Sequence, residues 1–265
     1  MIRFSSLFLR AFLAVALVSP LFLTSCDDDD DDNPTSQAGT FYANDIQLGD
    51  GTGRTWVTLD DDGNPTAIGM TMTAGALENL PDEDQSWVIE MPAKASATVF
   101  KHLFFNWNVH GHDPMGVFNV PHFDFHFYLT STAEREAIKG DGSDADKIEN
   151  LPGADFIPPN YEPDFVPGIG YIGIPQMGLH WTDRSNPAFQ GNFEEIMIWG
   201  SYDGKFTFIE PMITTEYLAT GPNFTRNMAL PASYNFSGYY PTTYSVSTDA
   251  NTGDITLTLG NMVMR

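Results

Sequence analysis

His122-Phe123-Asp124-Phe125-His126-Phe127 reads as a β-strand with two chemically opposed faces. Successive side chains on a strand point to opposite sides. Phe123, Phe125 and Phe127 therefore form an apolar strip fit for a core, while His122, Asp124 and His126 share the other side. Those three are groups that bind protons or metal ions. Shortly upstream stands His110-Gly111-His112-Asp113, and all six histidines of the chain fall between His102 and His180. The clustering points to a metal or acid–base site.

A histidine and carboxylate set without thiolates suits a divalent metal, with zinc foremost and iron, manganese or copper as alternatives. Geometry restricts which histidines share an ion. Residues i and i+4 on a strand are roughly 13 Å apart at Cα, near the limit for two imidazoles on one centre. His122 with Asp124, or Asp124 with His126, are easier pairs. The remaining ligands must come from elsewhere. Gly111 frees a loop to turn His112 inward, and His180 follows Gly178 in a loop-like stretch; either completes a cluster. Asp124 is a candidate catalytic residue, as general base beside a metal-bound water. It can equally fix the tautomer of a ligating imidazole. Glu210, just past a predicted strand over 206–209, is the second candidate catalytic carboxylate, or a group paired with backbone. His102 alternates with Phe100 and Phe104 and reads as structural; Asn108, Val109 and His110 read as the exposed start of a turn.

Composition supports a β fold. The chain of 265 residues carries 20 Phe, 10 Tyr, 5 Trp, 23 Gly and 18 Pro, a turn-rich, aromatic-rich balance. The expectation is a mainly β protein, an antiparallel sandwich or barrel-like single domain over 39–265 with a few short helices. Strands are predicted at 41–48, 55–59, 67–73, 87–91, 98–107 and within 117–129. Ser131-Thr132-Ala133-Glu134 is a capping-box pattern that starts a helix over 132–139. Residues 140–152 read as a polar loop, and 156–175 as a Pro- and Gly-rich stretch with little regular structure. Tyr202-Asp203-Gly204 joins strands 195–201 and 205–209 in a hairpin, because Asp-Gly supplies the positive φ of a tight turn. A helix over 214–219 and a last hairpin of 239–247 with 254–259 complete the pattern. No Walker motif, no GxGxxG and no nucleophile elbow around Ser131 or Ser201 is present.

The N-terminus reads as an export signal. Arg3 and Arg10 precede an apolar stretch over 11–23 that is too short to span a bilayer comfortably. Leu23-Thr24-Ser25-Cys26 resembles a bacterial lipobox, in which Cys26, the sole cysteine, becomes lipidated. Asp27 to Asp32 form a self-repelling run, expected to be a solvated tether that continues to residue 38. The expected product is an outer-membrane lipoprotein facing outward, its membrane partner being its own lipid. Without the signal, ten basic residues face thirty-five acidic ones, a net charge of about −25. That balance argues against nucleic acid and against phosphate-rich substrates.

Several motifs together resemble a known family. They are Gly111-His112-Asp113-Pro114, Pro121 to Tyr128, Met177-Gly178-Leu179-His180-Trp181, and Gly200 to Met212 with its Tyr202-Asp203-Gly204 turn and Glu210. The family is an uncharacterised group of exported bacterial proteins, typified by a Thermus protein under extracytoplasmic sigma-factor control. The resemblance runs from about Trp56 to about Tyr244. It implies a mainly β domain, a metal site at His112, His122, His126 and His180, and a homo-oligomer. It supplies no activity.

Three functions compete at this level. One is a metal-dependent protein, water-activating or not. The second is a non-catalytic envelope module for glycan or protein, with structural histidines and with Trp87, Trp107, Trp181 and Trp199 as its aromatic supply. The third is an envelope stress protein whose metal only holds the sheet together.

Overall fold

The Phe strip lies where its spacing predicts, against a second sheet. The computed structural model describes residues 37–265; the expected export signal, Cys26 and the Asp27–Asp32 run lie outside them. The protein is mainly β, built of antiparallel sheets that include a curled half-barrel, with a few short helices. The larger sheet has eight strands. Its order runs Gly173–Ile174, Gly178–Asp183, Glu195–Tyr202, Lys205–Thr214, His122–Tyr128, His102–Asn108 and Gln85–Glu90, with Tyr161–Pro163 also pairing with Gly178–Asp183. The smaller sheet has seven strands, centred on Gly51–Leu59, Pro65–Met72, Ile255–Gly260 and Thr243–Thr248.

The inner faces of the two sheets share one core. Leu103, Phe105, Phe123, Phe125, Phe127, Trp199 and Ile209 from the large sheet join Val57, Ile68, Met70, Val246, Leu257 and Leu259 from the small one. Burying each such side chain contributes about 1.5–3 kcal/mol, so the core, not cross-links, supplies the stability. The rings interlock: Phe105 lies 5.0 Å from Phe123 and 4.9 Å from Phe125, centroid to centroid.

Antiparallel sheets commonly leave their second face to water. Here every residue of His122–Tyr128 is buried, and the outer face carries its own apolar clusters. Phe118, Ala188, Ile196, Ile198 and Met212 form one small apolar cluster there, and Phe104, Tyr128 and Phe208 form another. The alternating polar groups of the central strand thus lie among apolar side chains of neighbouring strands and of the Phe118 and Ala188 segments.

Local signals match their elements. Asp203 and Gly204, at φ 50° and 77°, turn the hairpin of Glu195–Tyr202 with Lys205–Thr214. Ser131 caps the helix Thr132–Ala137 through a complete capping box with Glu134. Other expectations change. The strand predicted from residue 98 starts at His102; the chain leaves a 3-10 turn, Ala93–Ala97, and Thr98 bridges to Tyr239 before the strand begins. The 140–152 stretch contains the short helix Ala145–Ile148. The 156–175 stretch contributes short strands, among them Tyr161–Pro163.

Candidate metal centre

Three strands and one loop bring the polar groups together. His122, Asp124 and His126 project from the outer face of the central strand, as alternation requires. Glu210 lies in the middle of Lys205–Thr214 and not at the end of a shorter strand. The antiparallel register, which pairs Ile209 with Phe127 and Met212 with Asp124, sets Glu210 beside His126. His180 is not in a loop: it sits within Gly178–Asp183, paired with Gly200 of the next strand. Its Gly- and Pro-rich approach disguises the strand in the sequence. His112 is the one member carried by a loop. Gly111, at φ +67°, holds the turn before it, and a Cβ there would stand 2.0 Å from the carbonyl oxygen of Phe118. That carbonyl accepts the His112 backbone N–H at 3.2 Å.

These residues form two groups. In His112–His122–Asp124 and again in His126–His180–Glu210, one ligand atom from each residue lies within 4.8 Å of the others. His122 and His126 thus serve different groups, in keeping with their separation along the strand. Asp124 and Glu210 each sit between two imidazoles. His110 is exposed and joins neither group.

In each group the two imidazoles approach the two oxygens of one carboxylate. His122 Nε2 is 3.0 Å and His112 Nε2 3.5 Å from the two Asp124 oxygens. His126 Nε2 is 3.1 Å and His180 Nε2 3.7 Å from the two Glu210 oxygens. Tetrahedral zinc with bonds of about 2.0–2.1 Å separates its ligand atoms by roughly 3.3–3.4 Å, the middle of this range. A direct charge-assisted hydrogen bond would be shorter, about 2.7–2.9 Å, and aligned. Instead His126 Nε2, Asp124 Oδ1 and Glu210 Oε2 are buried without a hydrogen-bond partner. Buried polar atoms are rarely left so.

The opposite ring nitrogens are already engaged. His122 Nδ1 donates to the Val120 carbonyl at 2.6 Å, His112 Nδ1 to the Asp113 carbonyl at 2.7 Å, and His126 Nδ1 to the Phe104 carbonyl at 3.2 Å. A carbonyl only accepts, so each of these Nδ1 atoms carries a proton and Nε2 is the atom that faces the carboxylate; His122 Nε2 also lies 3.4 Å from Asn108 Nδ2. This is the arrangement that orients metal-ligating histidines. Asn108, which the sequence places at an exposed turn, lies opposite His122 and donates to Asp124 Oδ2 at 2.7 Å.

Electrostatics separate the members. Burial pushes Asp124 up, but the His122 charge and the close approach of both imidazoles hold it well below the usual carboxylate range. Burial lowers His112, yet the hydrogen bond and charge of Asp124 carry it up to about 9. His126 is likewise raised, the charge of Glu210 beside it overcoming burial. His180 is lowered, burial outweighing Glu210. His102 stacks on Tyr128 at 4.9 Å, belongs to neither group, and is pushed down to about 4 by burial and by Arg135.

The aromatic supply goes largely to the interior. Trp107, Trp181 and Trp199 are buried and Trp87 is half-buried, with Trp181 Nε1 donating to Ser201 Oγ at 2.7 Å. These rings do not form an exposed stacking platform for sugars.

No curated protein and no solved structure matches the chain. Residues 60–107 match the family model described as TTHB210-like, hypothetical protein TTHB210. That segment contains His102 but no member of either group, and it covers part of the stretch over which the motifs resemble an exported Thermus-type family.

Proposed function

We propose that the protein is an exported, lipid-anchored envelope protein that holds divalent metal ions, zinc foremost, in two sites of two imidazoles and one carboxylate each. The carrying observation is that three buried atoms, His126 Nε2, Asp124 Oδ1 and Glu210 Oε2, have no hydrogen-bond partner, in two groups whose N···O separations of 3.0–3.7 Å bracket a tetrahedral edge. Asp124 and Glu210 act here as ligands. A water on an ion held by three protein donors has its pKa lowered towards neutrality, which is the hydrolytic or hydrating chemistry such a centre supplies. The lipid anchor rests on Leu23-Thr24-Ser25-Cys26 and the acidic run after it.

The test is metal counting. Chelator-stripped protein, refolded and reloaded with zinc, manganese, iron or copper, is expected to retain two equivalents per chain after gel filtration. Uptake by fewer than about a tenth of the chains overturns the reading.

A further inference from the structure

We propose that the two sites have different roles. His126–His180–Glu210 is closed and structural, whereas the ion at His112–His122–Asp124 is exchangeable and takes a carboxylate-bearing ligand from solvent. This rests on the metal reading above.

The closed site is made of sheet alone. Its three ligands come from three strands, and their side chains are 1%, 13% and 2% exposed for His126, His180 and Glu210. Phe208 walls it, 4.9 Å from the His126 ring and 5.4 Å from the His180 ring. Gly200 makes that wall possible, since a Cβ there would lie 2.0 Å from the Phe208 ring.

The other site has an open side. His122 and Asp124 are buried, but the His112 side chain is 41% exposed and borne by a loop. Three protein donors leave a fourth tetrahedral position in each site; here the exposed His112 side chain sets the site beside solvent. A divalent ion with one carboxylate keeps a net charge of +1. In a half-buried setting that charge favours a monoanion as the fourth ligand. Phe118 lies edge-on to His112 at 5.8 Å and Phe193 edge-on to His122 at 5.3 Å, so both imidazoles are packed against apolar rings. Asn108 Nδ2 fixes Asp124 Oδ2, so the carboxylate is pre-oriented before the ion arrives.

Cobalt(II) as a spectroscopic substitute and acetate as the probe test this. Wild-type protein is expected to bind two cobalt ions and to release one to chelator at least tenfold faster than the other. Acetate should change the visible spectrum. His112→Ala should keep one slow-leaving cobalt with near-unchanged Tm and lose the acetate response; His180→Ala should keep the response. Two ions leaving at one rate, or an acetate response that survives in His112→Ala, overturns the division while the metal reading stands. No cobalt bound at all removes both.

Discussion

The two triads contain the same donors, two imidazoles and a carboxylate, yet one is framed by strands alone and the other by a strand and a loop. That difference sets their exposure, and exposure sets what each can do. Where all three groups sit on hydrogen-bonded strands, the layer is buried and Phe208 packs against it. Where one ligand hangs on a turn, the same donor set meets water. A histidine outside both groups completes the contrast. His102 shares the buried layer but has no carboxylate, and neither of its ring nitrogens has a hydrogen-bond partner.

The sharpest way to break the comparison is to remove one imidazole from each triad. In metal-free protein, His126→Ala leaves the buried Glu210 carboxylate without its nearest partner, and the expected loss is about 3–5 kcal/mol. His112→Ala removes a side chain that is 41% exposed and leaves Asp124 with His122 and the Asn108 amide, so it should cost clearly less. Urea unfolding of both variants decides it; equal losses would end the distinction between closed and open.

Acid gives the next largest effect, through His102. Its pKa is about 4 in the fold against 6.5 when unfolded. Above pH 6.5 both states are neutral and the group is silent. As pH falls below 6.5 the unfolded chain takes up the proton first, so stability declines until about pH 4 and then levels. At about 1.4 kcal/mol per unit the full loss approaches roughly 3 kcal/mol. His102→Phe should remove this part of the acid sensitivity while keeping the stack on Tyr128. Unfolding midpoints of wild type and variant between pH 7 and 4 should diverge; parallel curves would show that His102 is not held neutral.

A smaller effect is expected from Gly200→Ala. The new methyl group collides with the Phe208 ring, and overpacking of this kind costs about 1–3 kcal/mol. The damage should fall on the closed triad, so chelator should remove its ion faster while the open one is unchanged. Uniform weakening of both would mean that Phe208 is not a wall for one site in particular.

Much of this architecture is legible in the sequence. Period-two alternation assigns the faces of the central strand, because side-chain direction on a strand is fixed by backbone geometry alone. Asp203-Gly204 and Ser131 with Glu134 act within a few residues, so their turn and cap are readable locally. Gly111 before His112 likewise reports its own backbone need. The grouping of ligands is another matter. His126, Glu210 and His180 meet only through the register of separate strands, which no local pattern encodes. Asn108 is an ordinary amide until pairing places it opposite His122. Gly200 looks like any strand glycine until Phe208 is laid across it. The Gly- and Pro-rich neighbours of His180 conceal its strand.

The burial of both faces of His122–Tyr128 has a consequence for assembly of the chain. A strand with one solvated face can slide along its neighbours at modest cost. Here a slip of one position would exchange the sides, driving three phenyl rings into the imidazole layer and three titratable groups among the rings of the core. Neither arrangement satisfies its contents, so mispaired intermediates are penalised twice. The alternating hexapeptide thereby works as a registration mark, fixing how the sheet zips together before any ion is present.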